Sequence, residues 1–280
     1  MDVLVDLPTW SMGAAAIEQG QIVVTRTPLF ELRPEERRFL SPDWLDGKSK
    51  NISLKPQSGA LGGTSAQGAD RDALQKLLAR FSAQAAELMA ALCPSYGSAL
   101  QLGLTSFRPA EIAGRAASWR KDDTRLHVDA FPSRPTGGRR ILRLFVNAGS
   151  AVRQWRAGEP FEQVARRFLP CLRPPLPLSG WLLHTLHVTR ERRTAYDHFM
   201  LGIHDAMKAD QTYQEQAAST GIDFPPGAVW ACYTDAVSHA ALAGQFAFEQ
   251  TFYLPVNAMG DPARAPLRIL ERLLARPLAK

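Results

Sequence analysis

The sequence has few cysteines, no long apolar run and no secretory-type beginning, and each absence excludes a class of protein. Its three cysteines, Cys93, Cys171 and Cys232, have no C-x-x-C spacing, which argues against a disulfide framework and a cysteine-based zinc site. The apolar runs fall far short of the roughly 20 residues that a membrane-spanning helix needs. The first residues, MDVLVDLPTWSM, lack the basic segment and apolar core of a secretory signal. We therefore expect the protein in the cytoplasm.

The composition is that of a globular protein with an excess of positive charge. The 280 residues are 45% hydrophobic, which is enough to fill a sizeable core. No internal repeat and no second shift in composition is present, so we expect a single domain over residues 1–280. The net charge of +6 suggests a partner with phosphate or carboxylate groups, and nucleic acid, acidic sugar and anionic membrane all fit.

Three segments outside the expected strands have clear local patterns. Residues 47–68, GKSKNISLKPQSGALGGTSAQG, are rich in Gly, Ser and Lys, which predicts a flexible loop. From Asp70 onward, large apolar residues recur at helical spacing, which predicts an amphipathic helix with Asp70 as N-cap and Pro94 as its stop. A second helix is predicted over residues 191–209, ERRTAYDHFMLGIHDAMKA.

The second half of the chain is dense in short apolar or alternating runs separated by Gly, Pro, Asp and Ser. These runs are ALQLGLTSFRP, TRLHVDAF, RRILRLFVNA, GWLLHTLHVT, AVWACYTDAVS and FAFEQTFYLP. Several short strands at this density favour a sandwich or jelly roll over βαβ units. The predicted fold class is mainly β with flanking helices (α+β).

The run RLHVDAF, residues 125–131, places a histidine and an aspartate two positions apart. On a strand, His127 and Asp129 point to the same face and can bind one metal ion, although a pair on a solvated strand face is the alternative. His239 is a candidate third ligand because it begins a later strand. The three residues would form the two-histidine, one-carboxylate triad typical of non-heme Fe(II) oxygenases.

The run ILRLFVN places a cation inside a largely apolar strand. Alternation puts Arg143 and Asn147 on one face, and a buried guanidinium is costly unless it is paired. The C5 carboxylate of 2-oxoglutarate would be a suitable bidentate partner. An internal acid such as Glu249 is an equally good partner, and both interpretations stay open.

Several long blocks, in order, resemble the Kdo 3-hydroxylase family over roughly residues 100–270. The blocks are HVDAFPSRPTGGRRILRLFVN, RQWRAGEPFE, YDHFMLGIHDAMKAD, DFPPGAVW and TDAVSHAALAGQFAFEQTFYLP. These enzymes are Fe(II)- and 2-oxoglutarate-dependent dioxygenases that act on 3-deoxy-D-manno-oct-2-ulosonic acid (Kdo) of lipopolysaccharide. The resemblance implies a double-stranded β-helix (jelly-roll, cupin-like) core with His127, Asp129 and His239 as iron ligands. It also implies hydroxylation of Kdo-lipid A at C3 with O2, giving Ko, succinate and CO2.

The chain departs from the wider dioxygenase superfamily at the cosubstrate arginine. Many members carry that arginine on the strand after the distal histidine, whereas here the strand reads FAFEQTFYL and offers only Gln250 and Thr251. Arg143 is therefore our choice for the cosubstrate arginine, and Asn147, Gln250 and Thr251 are further cosubstrate-binding candidates. Near the metal strand, Trp119, Arg120 and Lys121 are candidates for lining the sugar entrance, although an exposed basic turn is the commoner explanation.

Two other functions fit the same residues. One is a related oxygenase that acts on protein or nucleic acid, and the other is a non-catalytic jelly roll that binds acidic glycan. Within the Kdo hydroxylase interpretation, no nucleic-acid partner is expected. The pair His204-Asp205 resembles the HD motif of metal-dependent phosphohydrolases, but the strand-rich flanks argue against that all-helical fold. The sequence predicts structural roles for the histidines outside the triad.

The carboxyl-terminal segment, residues 264–280, is predicted to be a basic amphipathic helix. Leu267, Leu270 and Leu274 form its apolar stripe, and a basic residue recurs at every fourth position: Arg264, Arg268, Arg272, Arg276 and Lys280. Such a helix could make a peripheral contact with the anionic inner membrane. Packing against the body of the domain, or against a second subunit, explains the stripe equally well.

Overall fold

The computed structural model describes residues 3–115 and 117–279 and contains two facing β-sheets. The strands are β1 (Leu4–Asp6), β2 (Ile22–Thr25), β3 (Ile52–Leu54), β4 (Leu61–Gly62), β5 (Gln101–Arg108), β6 (Arg140–Asn147), β7 (Arg153–Pro160), β8 (Thr220–Phe224), β9 (Val229–Tyr233), β10 (Val237–Ala243) and β11 (Ala247–Leu254). The large sheet has the order β1-β2-β9-β6-β11-β5-β3-β4, and the small sheet has the order β10-β7-β8. The predicted jelly-roll core with flanking helices is confirmed.

Seven α-helices of the described residues surround the sheets. They are α1 (Ala14–Glu18), α2 (Gly68–Leu92), α3 (Phe161–Phe168), α4 (Ser179–Thr185), α5 (Ala195–Ala209), α6 (Gln211–Gln216) and α7 (Pro266–Leu274). Helix α2 packs on β3, β5 and β11 of the large sheet, while α3 packs on β7 and β10 of the small sheet. Within the described ranges, no helix combines the length and apolarity needed to cross a bilayer.

Strands β6 and β11 separate two apolar layers because their side chains alternate between the sheet faces. Between the sheets, the ring of Trp230 stacks on Phe224 with centroids 3.9 Å apart and on Phe145 at 5.2 Å. On the opposite face, Phe248 packs 4.5 Å from Phe107 and 5.1 Å from Phe81 of α2. Side chains on the Phe145 face therefore point between the sheets, and those on the Phe248 face point toward α2.

The two predicted long helices form, with shifted starts. Helix α2 begins at Gly68 rather than Asp70 and ends just before Pro94, as predicted. Helix α5 begins at Ala195 rather than at residue 191. The reason for its later start is a capping box: Thr194 accepts a hydrogen bond from the Asp197 amide, and Asp197 accepts one from the Thr194 amide.

The segment 47–68 is not a loop throughout. Its β3 and β4 form a hairpin, in which Leu54 pairs with Leu61, and β3 continues the large sheet through pairing of Ile52 with Phe107 of β5. Alternation explains this outcome, because Ile52 and Leu54 share a buried face. The prediction of a loop is wrong for these two strands.

The predicted strand GWLLHTLHVT is wrong, since its first part forms α4. Backbone hydrogen bonds run from the Leu182 amide to Leu178 and from the Leu186 amide to Leu182. The helix also lies against the chain that precedes α5, because a Cβ on Gly180 would come within 2.1 Å of the Arg193 carbonyl oxygen. Glycine is the residue that permits this close approach.

The run 125–131 is extended but is not a regular strand. His127 and His239 form an isolated antiparallel bridge, with the His127 amide 3.0 Å from the His239 carbonyl and the reverse bond at 2.9 Å. On the side away from His239, no strand of the described residues lies next to the segment, and the Gln214 side chain makes the hydrogen bonds that a strand would make. The Gln214 amide accepts from the Leu126 backbone N–H at 2.7 Å and donates to the Leu126 carbonyl at 3.0 Å.

Helix α7 packs on the body of the protein through its apolar stripe. Leu267 and Leu270 are buried, and the helix ends at Leu274, where Ala275 takes a left-handed conformation. Three of the four described arginines of the predicted basic ridge pair with acids of the protein: Arg264 with Asp261, Arg268 with Glu271 and Arg272 with Glu162. The fourth, Arg276, lies over the Phe199 ring. The alternative of packing against the domain is the correct one for this stripe. Lys280 lies outside the described residues.

Replacement of Gln214 tests the unusual support of the 125–131 segment. Gln214→Leu leaves the Leu126 N–H and C=O buried without partners, and we expect it to lower the free energy of unfolding by about 2–6 kcal/mol, at about 1–3 kcal/mol per group. Urea denaturation of the metal-free protein measures the loss. Gln211→Leu on the exposed side of the same helix is the matched control. A loss below about 1 kcal/mol for Gln214→Leu contradicts the assigned role.

Candidate metal centre

The three predicted ligands lie together between the sheets. His127, Asp129 and His239 are all buried, and one potential ligand atom from each lies within 4.8 Å of the other two. The backbone bridge brings the two histidines side by side, with ring centroids 4.7 Å apart. Asp129 is held next to them by its own amide, which donates to the Thr234 carbonyl at 2.8 Å. The turn before β10 therefore fixes the carboxylate as well as the distal histidine.

Hydrogen bonds fix the tautomer of both imidazoles. Nδ1 of His127 lies 2.8 Å from the Arg125 carbonyl oxygen, and Nδ1 of His239 lies 2.8 Å from the Val237 carbonyl oxygen. A carbonyl oxygen can only accept, so each Nδ1 carries the proton. Each Nε2 then keeps a free lone pair, which is the arrangement found in metal-binding histidines.

Electrostatics keep these groups in the protonation states that a metal ion requires. Burial lowers the pKa of His127 well below its ordinary value, and the neighbouring His239 and Lys208 lower it further. Burial likewise lowers the pKa of His239. For Asp129, burial acts to raise the pKa, but Arg143 and His239 outweigh it and the net shift is downward. At neutral pH the site therefore holds two neutral imidazoles and one carboxylate.

The donor set fits a divalent iron ion. Oδ2 of Asp129 is buried without a properly oriented hydrogen-bond donor, although Nη1 of Arg143 makes an ionic contact with it at 3.2 Å. A buried carboxylate oxygen with spare acceptor capacity, next to two imidazole lone pairs, is a ready ligand. Two nitrogens and one carboxylate on one side of an ion leave positions open for further ligands, as in non-heme Fe(II) oxygenases.

Arg143 lies beside the triad and pairs with buried acids of the protein. Nη1 of Arg143 lies 3.1 Å from Glu249 Oε1, the internal acid considered above, and it also contacts Asp129. Glu249 receives a second cation, Arg108, with Nη2 at 2.6 Å from its Oε2. The guanidinium of Arg143 therefore links Asp129, a predicted metal ligand, to the ion pair of Arg108 and Glu249.

Arg153 and Trp155 are site residues that the sequence analysis missed. Arg153 is buried, its Nη1 donates to the Gly244 carbonyl at 3.1 Å, and its Nε has no partner. No carboxylate of the described residues lies within 4.0 Å of it, and burial together with the nearby Arg108 lowers its pKa to about 9. Two residues along β7, Trp155 stacks on His239 with centroids 5.2 Å apart. Alternation in the block RQWRAGEP was the available signal, because it places both side chains on one face.

Two of the four cosubstrate candidates do not point into the site. Gln250 lies on the α2 side of β11, where its Oε1 accepts from the Thr105 hydroxyl at 2.7 Å. Asn147 shares the face of Arg143, but it lies four residues away, about 13 Å along the strand. Its side-chain amide donates to the carbonyls of Ala151 and Phe224, and it therefore shapes a turn. Thr251 pairs with Arg143 across the strands and shares its face.

A third histidine borders the centre. The ring of His204 lies edge-on to His127 at 5.5 Å, and its Nδ1 lies 3.0 Å from Asp205 Oδ1. Arg120 holds the other carboxylate oxygen of Asp205 at 3.1 Å and covers the Trp119 ring at 4.0 Å. The sequence analysis gave His204 a structural role. The predicted entrance residues Trp119, Arg120 and Lys121 form a short 3-10 helix, of which Arg120 reaches the rim of the centre.

Comparisons with known proteins agree with this geometry. Residues 10–277 match the family model described as 3-deoxy-D-manno-oct-2-ulosonic acid (Kdo) hydroxylase. No curated protein matches the chain. Among solved structures, the chain is similar to the Kdo hydroxylase KdoO, a non-heme Fe(II) α-ketoglutarate (2-oxoglutarate) dependent dioxygenase, in complex with cobalt(II). The TM-score is 0.95 and the identity 42%, over 100% of this chain and 98% of that chain.

Two further structures of the same kind of enzyme are similar over nearly the whole chain. The complex of KdoO with α-ketoglutarate and Fe(III) has a TM-score of 0.94 and 42% identity, covering 99% of this chain and 98% of that chain. The complex with succinate and Fe(III) has a TM-score of 0.94 and 41% identity, covering 100% and 98%. With a family model that spans almost the full length and solved relatives above 40% identity, the chain belongs to the Kdo hydroxylase family.

Proposed function

We propose that the protein is an Fe(II)- and 2-oxoglutarate-dependent dioxygenase that hydroxylates Kdo at C3 in Kdo-lipid A. The observation that carries the proposal is the cluster of His127, Asp129 and His239, with ligand atoms within 4.8 Å of one another, in a chain that matches the family from end to end. The products are the 3-hydroxy sugar Ko, succinate and CO2. The anionic substrate also accounts for the net charge of +6.

The three ligands would hold the iron through Nε2 of both histidines and the Asp129 carboxylate. When bound, Fe(II) and 2-oxoglutarate supply the oxidising chemistry that converts a C–H bond into a C–OH bond at the expense of O2. The chain itself orients the ligands. The carbonyls of Arg125 and Val237 fix the imidazole rings, and Trp155 covers one face of His239, which excludes water from that side of the centre.

The distal carboxylate of 2-oxoglutarate would lie near the arginines between the sheets. Arg108 and Arg143 share Glu249, whereas Arg153 makes no direct ion pair with any acid of the described residues and donates to the Gly244 carbonyl. Glu249, Asp123 and Glu111 only partly offset its burial, since the net shift of its pKa is downward. A buried cation without an acid destabilises the protein unless an anion joins it. Arg153 therefore replaces Arg143 as our first choice for the carboxylate partner, and Arg143, with Thr251 opposite it on β11, is the second.

The substrate side of the centre is bordered by His204 and by the Trp119–Lys121 turn. Asp205 and Arg120 hold this rim together, and Arg120 and Lys121 carry positive charge suited to the Kdo carboxylate. We propose that these residues position the sugar so that C3 faces the iron. Because the sugar is carried on a lipid, we also propose that the enzyme works in the cytoplasm in peripheral contact with the anionic inner membrane.

If His127 is a metal ligand, its replacement should remove the stabilisation that a bound metal ion gives the protein. Co(II) at about 100 times its Kd should raise the free energy of unfolding of the native protein by about 2.7 kcal/mol through mass action. His127→Ala should abolish this increment, whereas His184→Ala, at an exposed histidine, should retain it. Thermal or urea unfolding with and without Co(II) provides the measurement. A full increment in His127→Ala would contradict the ligand assignment.

If Arg153 binds the carboxylate of 2-oxoglutarate, its replacement should weaken cosubstrate binding without lowering the stability of the protein. Arg153→Met should raise the KM for 2-oxoglutarate by at least about tenfold, because a buried charged hydrogen bond is worth about 2–5 kcal/mol. The same change should leave Co(II) stabilisation intact and should not lower the stability of the protein without 2-oxoglutarate, since it removes an unpaired buried charge. Arg166→Met, at an exposed arginine, is the control. A KM within twofold of the native value would disprove the role.

The substrate assignment predicts succinate formation that depends on Kdo lipid. The native enzyme with Fe(II), 2-oxoglutarate and O2 should add one oxygen to the sugar, detected by mass spectrometry, and should form succinate in proportion. Peptides and oligonucleotides should give none, and His239→Ala should give neither product. Succinate formation with peptide or oligonucleotide alone would favour an oxygenase of another substrate. Binding of Kdo lipid without metal or succinate would favour a non-catalytic glycan-binding protein.

A further inference from the structure

The segment between α3 and α5 carries most of the exposed apolar surface. Of the nine large apolar side chains that are exposed among the described residues, six lie within residues 176–188. We call them the apolar patch: Leu176, Leu178, Trp181, Leu182, Leu186 and Val188. Their exposed fractions run from 50% for Leu182 to 77% for Leu176. Single exposed apolar residues are ordinary, but a contiguous group of this size marks an interaction surface.

The shape of the patch follows from α4. Leu182 lies within α4, and Leu178 and Leu186 cap its two ends at a spacing of four. Backbone hydrogen bonds of 2.9 Å link the three leucines into a ridge. Trp181 lies beside this ridge. The opposite side of the helix rests on the chain before α5 at Gly180. The ridge therefore points away from the protein, and the helix lies flat on the body like an interfacial amphipathic helix.

Arginines without acid partners flank the apolar patch. Arg173, Arg190 and Arg192 are exposed, and no carboxylate of the described residues lies within 4.0 Å of any of them. The segment 170–193 contains a single acid, Glu191, which pairs with Arg139. Burial and the nearby Arg190 lower the pKa of Arg134, which places a further cation in the same region. An apolar ridge with a rim of unpaired arginines complements the acyl chains and negative headgroups of an anionic bilayer.

The patch is tied to the metal centre through the backbone. The Arg190 amide donates to the Ser133 carbonyl at 3.0 Å, and Arg193 Nη2 donates to the Pro132 carbonyl at 2.6 Å. Pro132 is three residues after Asp129, so the anchoring point lies within about 11 Å of that ligand along the chain. A bilayer on the patch would therefore lie close to the site that receives the sugar.

We propose that the apolar patch and its flanking arginines dock the enzyme on an anionic lipid bilayer next to the metal centre, an inference that rests on the proposed function for its purpose. Trp181 and the leucine ridge enter the headgroup region, and Arg173, Arg190 and Arg192 contact lipid phosphates. This surface, rather than the predicted basic ridge of residues 264–280, makes the membrane contact, because Arg264, Arg268 and Arg272 of that ridge already pair with acids of the protein.

The test compares vesicle binding of the full-length enzyme with that of patch variants. Vesicles of phosphatidylglycerol and phosphatidylethanolamine, free of Kdo lipid, should bind the native enzyme and cosediment with it, whereas phosphatidylcholine vesicles should bind it much less. The triple change Trp181→Ser, Leu182→Ser and Leu186→Ser should weaken binding by at least about tenfold. The matched control changes the exposed apolar residues elsewhere, Met12→Ser, Leu102→Ser and Val152→Ser, and should bind as the native enzyme does.

A charge variant gives a second measurement that does not depend on the fold of α4. Arg190→Glu with Arg192→Glu should weaken binding to anionic vesicles by at least about tenfold at low salt, and this difference should shrink at high salt. Native binding by the triple and charge variants alike would overturn the proposal. Loss of a dimer in the triple variant, seen by light scattering, with vesicle binding unchanged would instead assign the patch to a second copy and would also overturn it.

Turnover separates this proposal from the proposed function. With Kdo lipid in detergent micelles, the triple variant should form succinate at the native rate, and with Kdo lipid in anionic vesicles it should be at least about tenfold slower. Native vesicle binding without any Kdo-dependent turnover would leave the docking surface standing and the proposed substrate wrong. Full turnover on vesicles by the triple variant would overturn the docking surface and leave the proposed function standing.

Discussion

Two backbone hydrogen bonds between His127 and His239 are the constraint on which the metal centre depends. They join a segment that lacks a regular strand to the start of β10, and they hold the two imidazoles side by side. The rest of the segment is held by substitutes for strand pairing, namely the Gln214 side chain and the Thr234 carbonyl that receives the Asp129 amide. Pre-organisation of this kind reduces the ordering that metal binding must otherwise impose.

The space between the sheets combines two conflicting requirements. Aromatic packing of Trp155 and Trp230 stabilises the sheets, while the same layer buries Arg143 and Arg153 close to acids that are too few to pair with both. Arg108 and Arg143 share Glu249, and Arg143 also contacts Asp129, whereas Arg153 pairs directly with no carboxylate of the described residues and donates to a carbonyl. Such a site is less stable alone than an apolar one of the same volume. The cost is consistent with a site built for an anion, because an anion that joins Arg153 restores the charge balance.

The sequence predicted the site where alternation alone decides which way a side chain points, and it failed where packing decides. His127, Asp129 and Arg143 share their expected faces because period-two geometry holds in any extended chain. Gln250 was chosen for its polarity, although the residue beside it, Thr251, occupies the Arg143 face. His204 could not be found from sequence, since its contact with His127 depends on how α5 packs. The run GWLLHTLHVT has strand-like composition, but its first part folds as α4 and packs against the chain before α5.

Two amphipathic segments with similar sequence signatures have different surroundings, and the acids near them explain the difference. In α7, Arg268 and Arg272 meet Glu271 and Glu162, so the helix satisfies its charges within the protein and its leucines pack on the core. Around α4, the arginines have no comparable acids, and the leucine ridge stays exposed. A basic amphipathic pattern therefore does not distinguish a helix that packs on the core from one whose apolar residues stay exposed. The two cases differ in whether the rest of the fold supplies carboxylates near the arginines. That depends on the three-dimensional structure.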